Sequence, residues 1–243
     1  MDLDTAGNPI SVSSVVSVDE ASAAGREPRL VWHTVALLCY YGWLVFVTRR
    51  PPSRSPHVFR SSTPVVHLVF QWTLWFVAYR GIRSSGLRYK AVVGSFPSSR
   101  TAFWSACRDA VFLYAAVWAV AKALAWVSPF TMRHDSVPRT GFQLFLTLLV
   151  AVSAGYTEEV VYRGLMLSQF RILTGSLNAA VFFQALLFAL VHGWYQSIPQ
   201  MSEHFIAGLF FAYLAIRRKS LWPSILGHGW IDVSWSIRRF VQR

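Results

Sequence analysis

Seven apolar stretches of 13 to 18 residues limit what this chain can fold into more than any other feature. They cover residues 30–47, 64–79, 110–127, 141–156, 177–191, 204–216 and 221–237. A helix needs about 20 mostly apolar residues to cross the hydrocarbon core of a bilayer. Most of these stretches approach that length. Composition agrees: 54% of residues are hydrophobic and 14% are charged, where a soluble domain carries about 25% charged residues.

The charge that remains is lopsided. Lys and Arg number 23 against 11 Asp and Glu, a formal net charge of +12. Five acids fall in the first 27 residues, so the following 216 residues hold only six: Asp109, Asp135, Glu158, Glu159, Glu203 and Asp232. A nucleic-acid surface would cluster its Lys and Arg on a folded, water-facing patch. Here Arg49, Arg50, Arg54 and Arg60, then Arg80, Arg83, Arg88 and Lys90, then Arg217, Arg218 and Lys219 punctuate apolar runs. That is the pattern of loops flanking membrane spans and facing anionic headgroups. No nucleic-acid partner is expected. Cys39 and Cys107 lie in apolar runs without CxxC spacing and read as packing residues.

Ionisable groups in apolar spans are costly and usually face a cavity or one another. Three runs carry such groups. Glu158 and Glu159 precede Arg163; at about 100° per residue, Arg163 shares a face with Glu159 and lies well away from Glu158. The same three residues would also suit a helix end emerging into water. The run 177–191 closes on His192, and His228 stands four residues before Asp232 on the last run. Gly227 and Gly229 flank His228 and allow close approach of another helix or of a substrate. Asp109, Asp135 and Glu203 read as residues of segment edges or loops. Jointly, a carboxylate and two imidazoles suit activation of water, and Glu158, His192 and His228 would equally suit a divalent metal such as zinc. HExxH and GxSxG are both absent. A proton-coupled transporter using Glu158 lacks the support of an internal repeat.

These motifs, in this order, resemble the CPBP family of intramembrane proteases. They are Glu158-Glu159-x-x-x-Arg163, Phe188-x-x-x-His192 and His228-x-x-x-Asp232, with Leu221-Trp222-Pro223 after a basic turn. The family includes the CAAX prenyl endopeptidases and bacterial proteins linked to bacteriocin processing or self-immunity. The resemblance covers about residues 141–236. It implies an all-α, polytopic membrane bundle of about seven to eight transmembrane helices. The expected division is a flexible tail (1–28), N-terminal transmembrane helices and loops (29–140), and a catalytic helical core (141–243). Glu158 would be the general base, with Glu159 and Arg163 as its supporting pair. His192 would bind the water or a catalytic zinc, and His228 would stabilise the oxyanion. The family motif often ends in Asn; an ionised Asp232 cannot donate to an oxyanion, so it is expected to orient His228. The implied partners are the lipid bilayer and a membrane-associated peptide or protein, lipid-modified in the CAAX case. The expected location is a multi-pass position in a prokaryotic plasma membrane. The alternative is a non-catalytic immunity or adaptor protein of the same fold that binds a peptide partner.

Overall fold

The computed structural model describes residues 29–47, 62–127, 138–193 and 198–242. The tail 1–28, the basic stretch holding Arg49, Arg50, Arg54 and Arg60, and Asp135 lie outside these residues. Everything described is helix, turn or coil, with no strand among the described residues. In chain order the helices are α1 (Trp32–Val47), α2 (Ser62–Ser84), the short α3 (Tyr89–Val93), α4 (Arg100–Val127) and α5 (Gly141–Glu159). A π-helical segment (Val160–Met166) continues α5 without a break into α6 (Leu167–Thr174). Then come α7 (Leu177–Gly193), α8 (Ile198–Arg218) and α9 (Trp222–Val241).

The helix starting at Gly141 is the axis of the bundle. Thr140 caps it, accepting a hydrogen bond from the Gln143 backbone N–H. Its 34 residues run to Thr174, about 50 Å at 1.5 Å per residue. The acids after residue 156 therefore do not mark a helix end in water: Glu159 and Arg163 are 0% and 1% exposed. α9 packs antiparallel along α5, α4 packs on α9, and α2 packs on the other side of α5 and the π segment. Gly155 makes the α5–α9 contact possible. A Cβ there would lie 2.6 Å from the Gly229 backbone N and 3.0 Å from the Ile225 carbonyl. Gly155→Val is therefore expected to force the two helices apart, at about 1–3 kcal/mol. A clear fall in thermal midpoint in detergent checks it, and an unchanged midpoint would refute the contact.

Large apolar side chains are exposed as well as buried. Trp32, Val66, Val69, Phe112, Phe142 and Val152 are each at least 60% exposed, while charged groups occupy the centre. Apolar surface on this scale suits lipid. Among the described residues, one helix, Gly141–Thr174, is long and apolar enough to cross a membrane, and Leu177–His192 is a shorter apolar helix. The expected seven to eight spans are thus not all recognisable by length and composition. For three others the reason is visible in the sequence: α2, α8 and α9 are 20 to 23 residues long but carry Arg80, Glu203, His228 or Asp232. The short sixth run, 204–216, is part of the 21-residue α8, whose first turns carry Gln200, Glu203 and His204.

Candidate active site

Where α5 passes into the π segment, the backbone widens by one residue per turn; the Leu167 N–H donates to the Tyr162 carbonyl, five residues back. Such π segments are often found at functional sites. Every residue from Val160 to Met166 is buried. This buried stretch presents Arg163 to the interior, where a guanidinium requires full compensation. Arg163 Nη1 donates to Glu159 Oε1 at 2.9 Å and Nη2 to the Gly208 carbonyl at 3.4 Å. The rings of Phe188 and Phe211 lie 4.6 and 4.8 Å from the guanidinium carbon, within cation–π range.

Glu159 Oε1 also accepts a hydrogen bond from His228 Nδ1 at 2.9 Å. With Glu159 accepting, His228 donates through Nδ1, which turns Nε2 toward Glu158. Phe211 stacks on the His228 ring at 4.8 Å and 19°. Asp232 also stands beside His228, as an ion-pair partner rather than through a hydrogen bond. Asp232 Oδ2 lies 3.7 Å from His228 Nε2, too far for a hydrogen bond and on the opposite ring nitrogen. The i,i+4 spacing does bring the two together on α9, but the wholly buried Glu159 takes the donor.

Glu158 points the other way, into a cavity of about 340 Å³ bounded by α4, α5, α7, α8 and α9. Its Oε2 is 3.3 Å from His192 Nε2 and 3.9 Å from His228 Nε2. His192 Nδ1 bonds the Phe188 carbonyl at 2.9 Å; a carbonyl only accepts, so Nδ1 carries the proton and Nε2 faces Glu158. Glu158 Oε2 is buried and has no hydrogen-bond partner. The structure thus brings Glu158, His192, His228 and Asp232 to one cavity and keeps Glu159 and Arg163 behind them.

Residues 140–234 match the model of the family described as Rce1-like, type II CAAX prenyl endopeptidase. This segment holds all three motifs. Over this segment the chain is similar to that family. An Escherichia coli protein described as an uncharacterized 24.3 kDa protein is 33% identical over 124 residues, covering 48% of this chain. The chain spans about half the length (54%) of that curated relative. No solved structure matches the chain.

Around the three motifs, the structure adds residues that motif reading passed over. His204 of α8 stacks on His192 at 5.3 Å and 12°, with its Nδ1 bonded to the Gln200 carbonyl at 2.7 Å. Glu203, read as an edge residue, lines the same cavity as Glu158. Residues 198–203 continue the helix rather than forming a loop. The available signal was their four-residue phase with Ala207 and Phe211, which extends the buried face of α8 toward its N-terminus. A second cavity, about 310 Å³ and lined by Tyr41, Phe70, Leu74 and Val161, reaches Glu158 from the α1–α2 side. Glu158, His192 and His204 form the wall common to both cavities.

The zinc ligand set Glu158, His192 and His228 has suitable donor types for a metal. Yet no group of three or more His, Cys, Asp or Glu among the described residues is placed so that it could hold a metal ion.

Proposed function

We propose that the chain is a multi-pass membrane endopeptidase that hydrolyses a peptide bond with water activated by Glu158. The observation that carries this reading is the buried Glu158 Oε2, with no hydrogen-bond partner, facing two imidazole Nε2 atoms at the wall between two cavities. The family match supports a CAAX-type protease and hence a membrane-associated peptide or protein as substrate. Both cavities mix apolar and polar walls; we place a lipid-modified side chain on the α1–α2 side, beside Tyr41, Phe70 and Leu74, and the peptide backbone beside Glu203, Asp232 and Arg239.

In this mechanism a water donates one hydrogen bond to the Glu158 carboxylate, and its oxygen attacks the scissile carbonyl carbon. The proton passes to the Glu158 carboxylate. Charge develops on the carbonyl oxygen, which accepts a hydrogen bond from His228 Nε2–H in the doubly protonated ring that Glu159 stabilises through Nδ1. His192 keeps Glu158 and the water in line. When the C–N bond breaks, the Glu158 carboxyl returns the proton to the leaving amine, which restores the carboxylate.

His192→Ala is expected to slow cleavage of a membrane-anchored peptide in proteoliposomes by about 10²-fold, the loss that a misplacement of reacting groups by about 1 Å brings. Treatment with 1,10-phenanthroline is expected to leave the wild-type rate unchanged. A rate unaffected by His192→Ala would overturn the assignment of that residue. A rate abolished by the chelator and restored by zinc would overturn the metal-free form of the mechanism.

A further inference from the structure

A third cavity, of about 290 Å³, lies between α4 and α8 and shares no residue with the two that meet at Glu158. Its two halves differ in chemistry. One is charged: Arg218 grips Asp109 through Nε at 2.5 Å and Nη2 at 2.6 Å. Arg108 stands 3.6 Å from the same carboxylate with its side chain 72% exposed. Arg217 completes this half and donates to the Tyr213 hydroxyl at 3.0 Å. Two guanidiniums, Arg108 and Arg218, therefore face one carboxylate, with Arg217 beside them on the cavity wall. The other half is apolar, walled by Phe112, Ala116 and Phe210, and Phe112 is 72% exposed on the lipid-facing side of α4.

An inorganic anion would use only the charged half, and an uncharged acyl chain only the apolar half. The geometry points to a binding site for one anionic phospholipid, with its phosphate at Arg108 and Arg217 and an acyl chain along Phe112, Ala116 and Phe210. Guanidinium forks match phosphate oxygens in bidentate fashion. Basic pockets between membrane helices are a recurrent way of holding anionic headgroups. The surrounding end of the bundle reinforces the charge. Lys219 follows Arg218 directly, and the Leu221 N–H donates to the Val93 carbonyl at 2.9 Å, which brings α3 and its Lys90 to the same end. This site depends on membrane residence and not on the peptidase reading.

The test uses the full chain in dodecyl maltoside, with dioleoyl phosphatidylglycerol, dioleoyl phosphatidylcholine and inorganic phosphate as separate probes. Native mass spectrometry reads bound lipid, and the thermal midpoint reads stabilisation. Phosphatidylglycerol is expected to be retained and to raise the midpoint; phosphatidylcholine and phosphate are expected to do neither. Arg108→Gln combined with Arg217→Gln is expected to weaken phosphatidylglycerol binding about tenfold or more, from roughly 1 kcal/mol for each basic residue. Arg139→Gln with Arg238→Gln, an equal charge loss at the other end of the bundle, is expected to leave binding within about twofold. Arg108→Glu, at an exposed position, supplies the same test if the double variant does not fold. Equal binding of the two lipids, equal losses in both double variants, wild-type binding by Arg108→Glu, or competition by phosphate alone would each overturn the site.

Discussion

Arg163→Met is expected to lower the thermal midpoint of the purified protein by more than Gly155→Val does. The guanidinium is 1% exposed and is compensated by Glu159, the Gly208 carbonyl and the faces of Phe188 and Phe211. Removing it leaves Glu159, itself 0% exposed, to rely on the hydrogen bond from His228 Nδ1. Breaking a buried ion pair in this one-sided way typically costs about 3–5 kcal/mol. The cost comes from the stranded carboxylate, so neutralising it should recover much of the loss. Glu159→Gln with Arg163→Met is expected to regain about half of the stability, because glutamine still accepts from His228 Nδ1. A double variant no more stable than Arg163→Met alone would show that the guanidinium contributes by packing. A wild-type midpoint for the single variant would refute the buried pair.

What the sequence could disclose about this arrangement follows from distance along the chain. Glu159 and Arg163 are four residues apart, and helical phase alone pairs them and turns Glu158 away. The bond from His228 to Glu159 spans 69 residues. No local pattern encodes it, so Asp232, the nearest acid in helical phase, is the partner a sequence suggests instead. Glu203 and His204 are hidden for a related reason. Their polarity truncates the sixth apolar run at residue 204, although the helix begins at Ile198. The π segment has no sequence signature of its own; it is recognised by the five-residue hydrogen bond into Tyr162. Apolar run lengths predict a helical bundle, and the described residues are all-helical. They overestimate how many helices stand out as spans, because polar residues directed at the cavities dilute the hydropathy of α8 and α9.

Glu158→Gln is expected to have the largest effect on activity. The substitution preserves the size and the 21% exposure of a side chain that makes no hydrogen bond through Oε2. Fold and midpoint should therefore change little, while the amide cannot take a proton from water. A loss of about 10³-fold or more is expected, at the upper part of the range for a general base. Asp232→Asn provides a contrast. Asp232 is not hydrogen-bonded to His228 and lies 3.7 Å from its Nε2, and an amide there could donate to the oxyanion as the common family residue does. Substantial activity is expected to survive, so an inactive Asp232→Asn would require a direct role for the ionised carboxylate.

The most direct measurement works without an identified substrate. Membranes from matched cells producing the wild-type chain or Glu158→Gln, at equal folded amounts, are compared by mass spectrometry of protein termini. The account predicts new peptide termini on membrane-associated proteins with the wild type and none with Glu158→Gln. The same termini in both samples, or no new termini in either, would contradict hydrolysis by a Glu158-activated water.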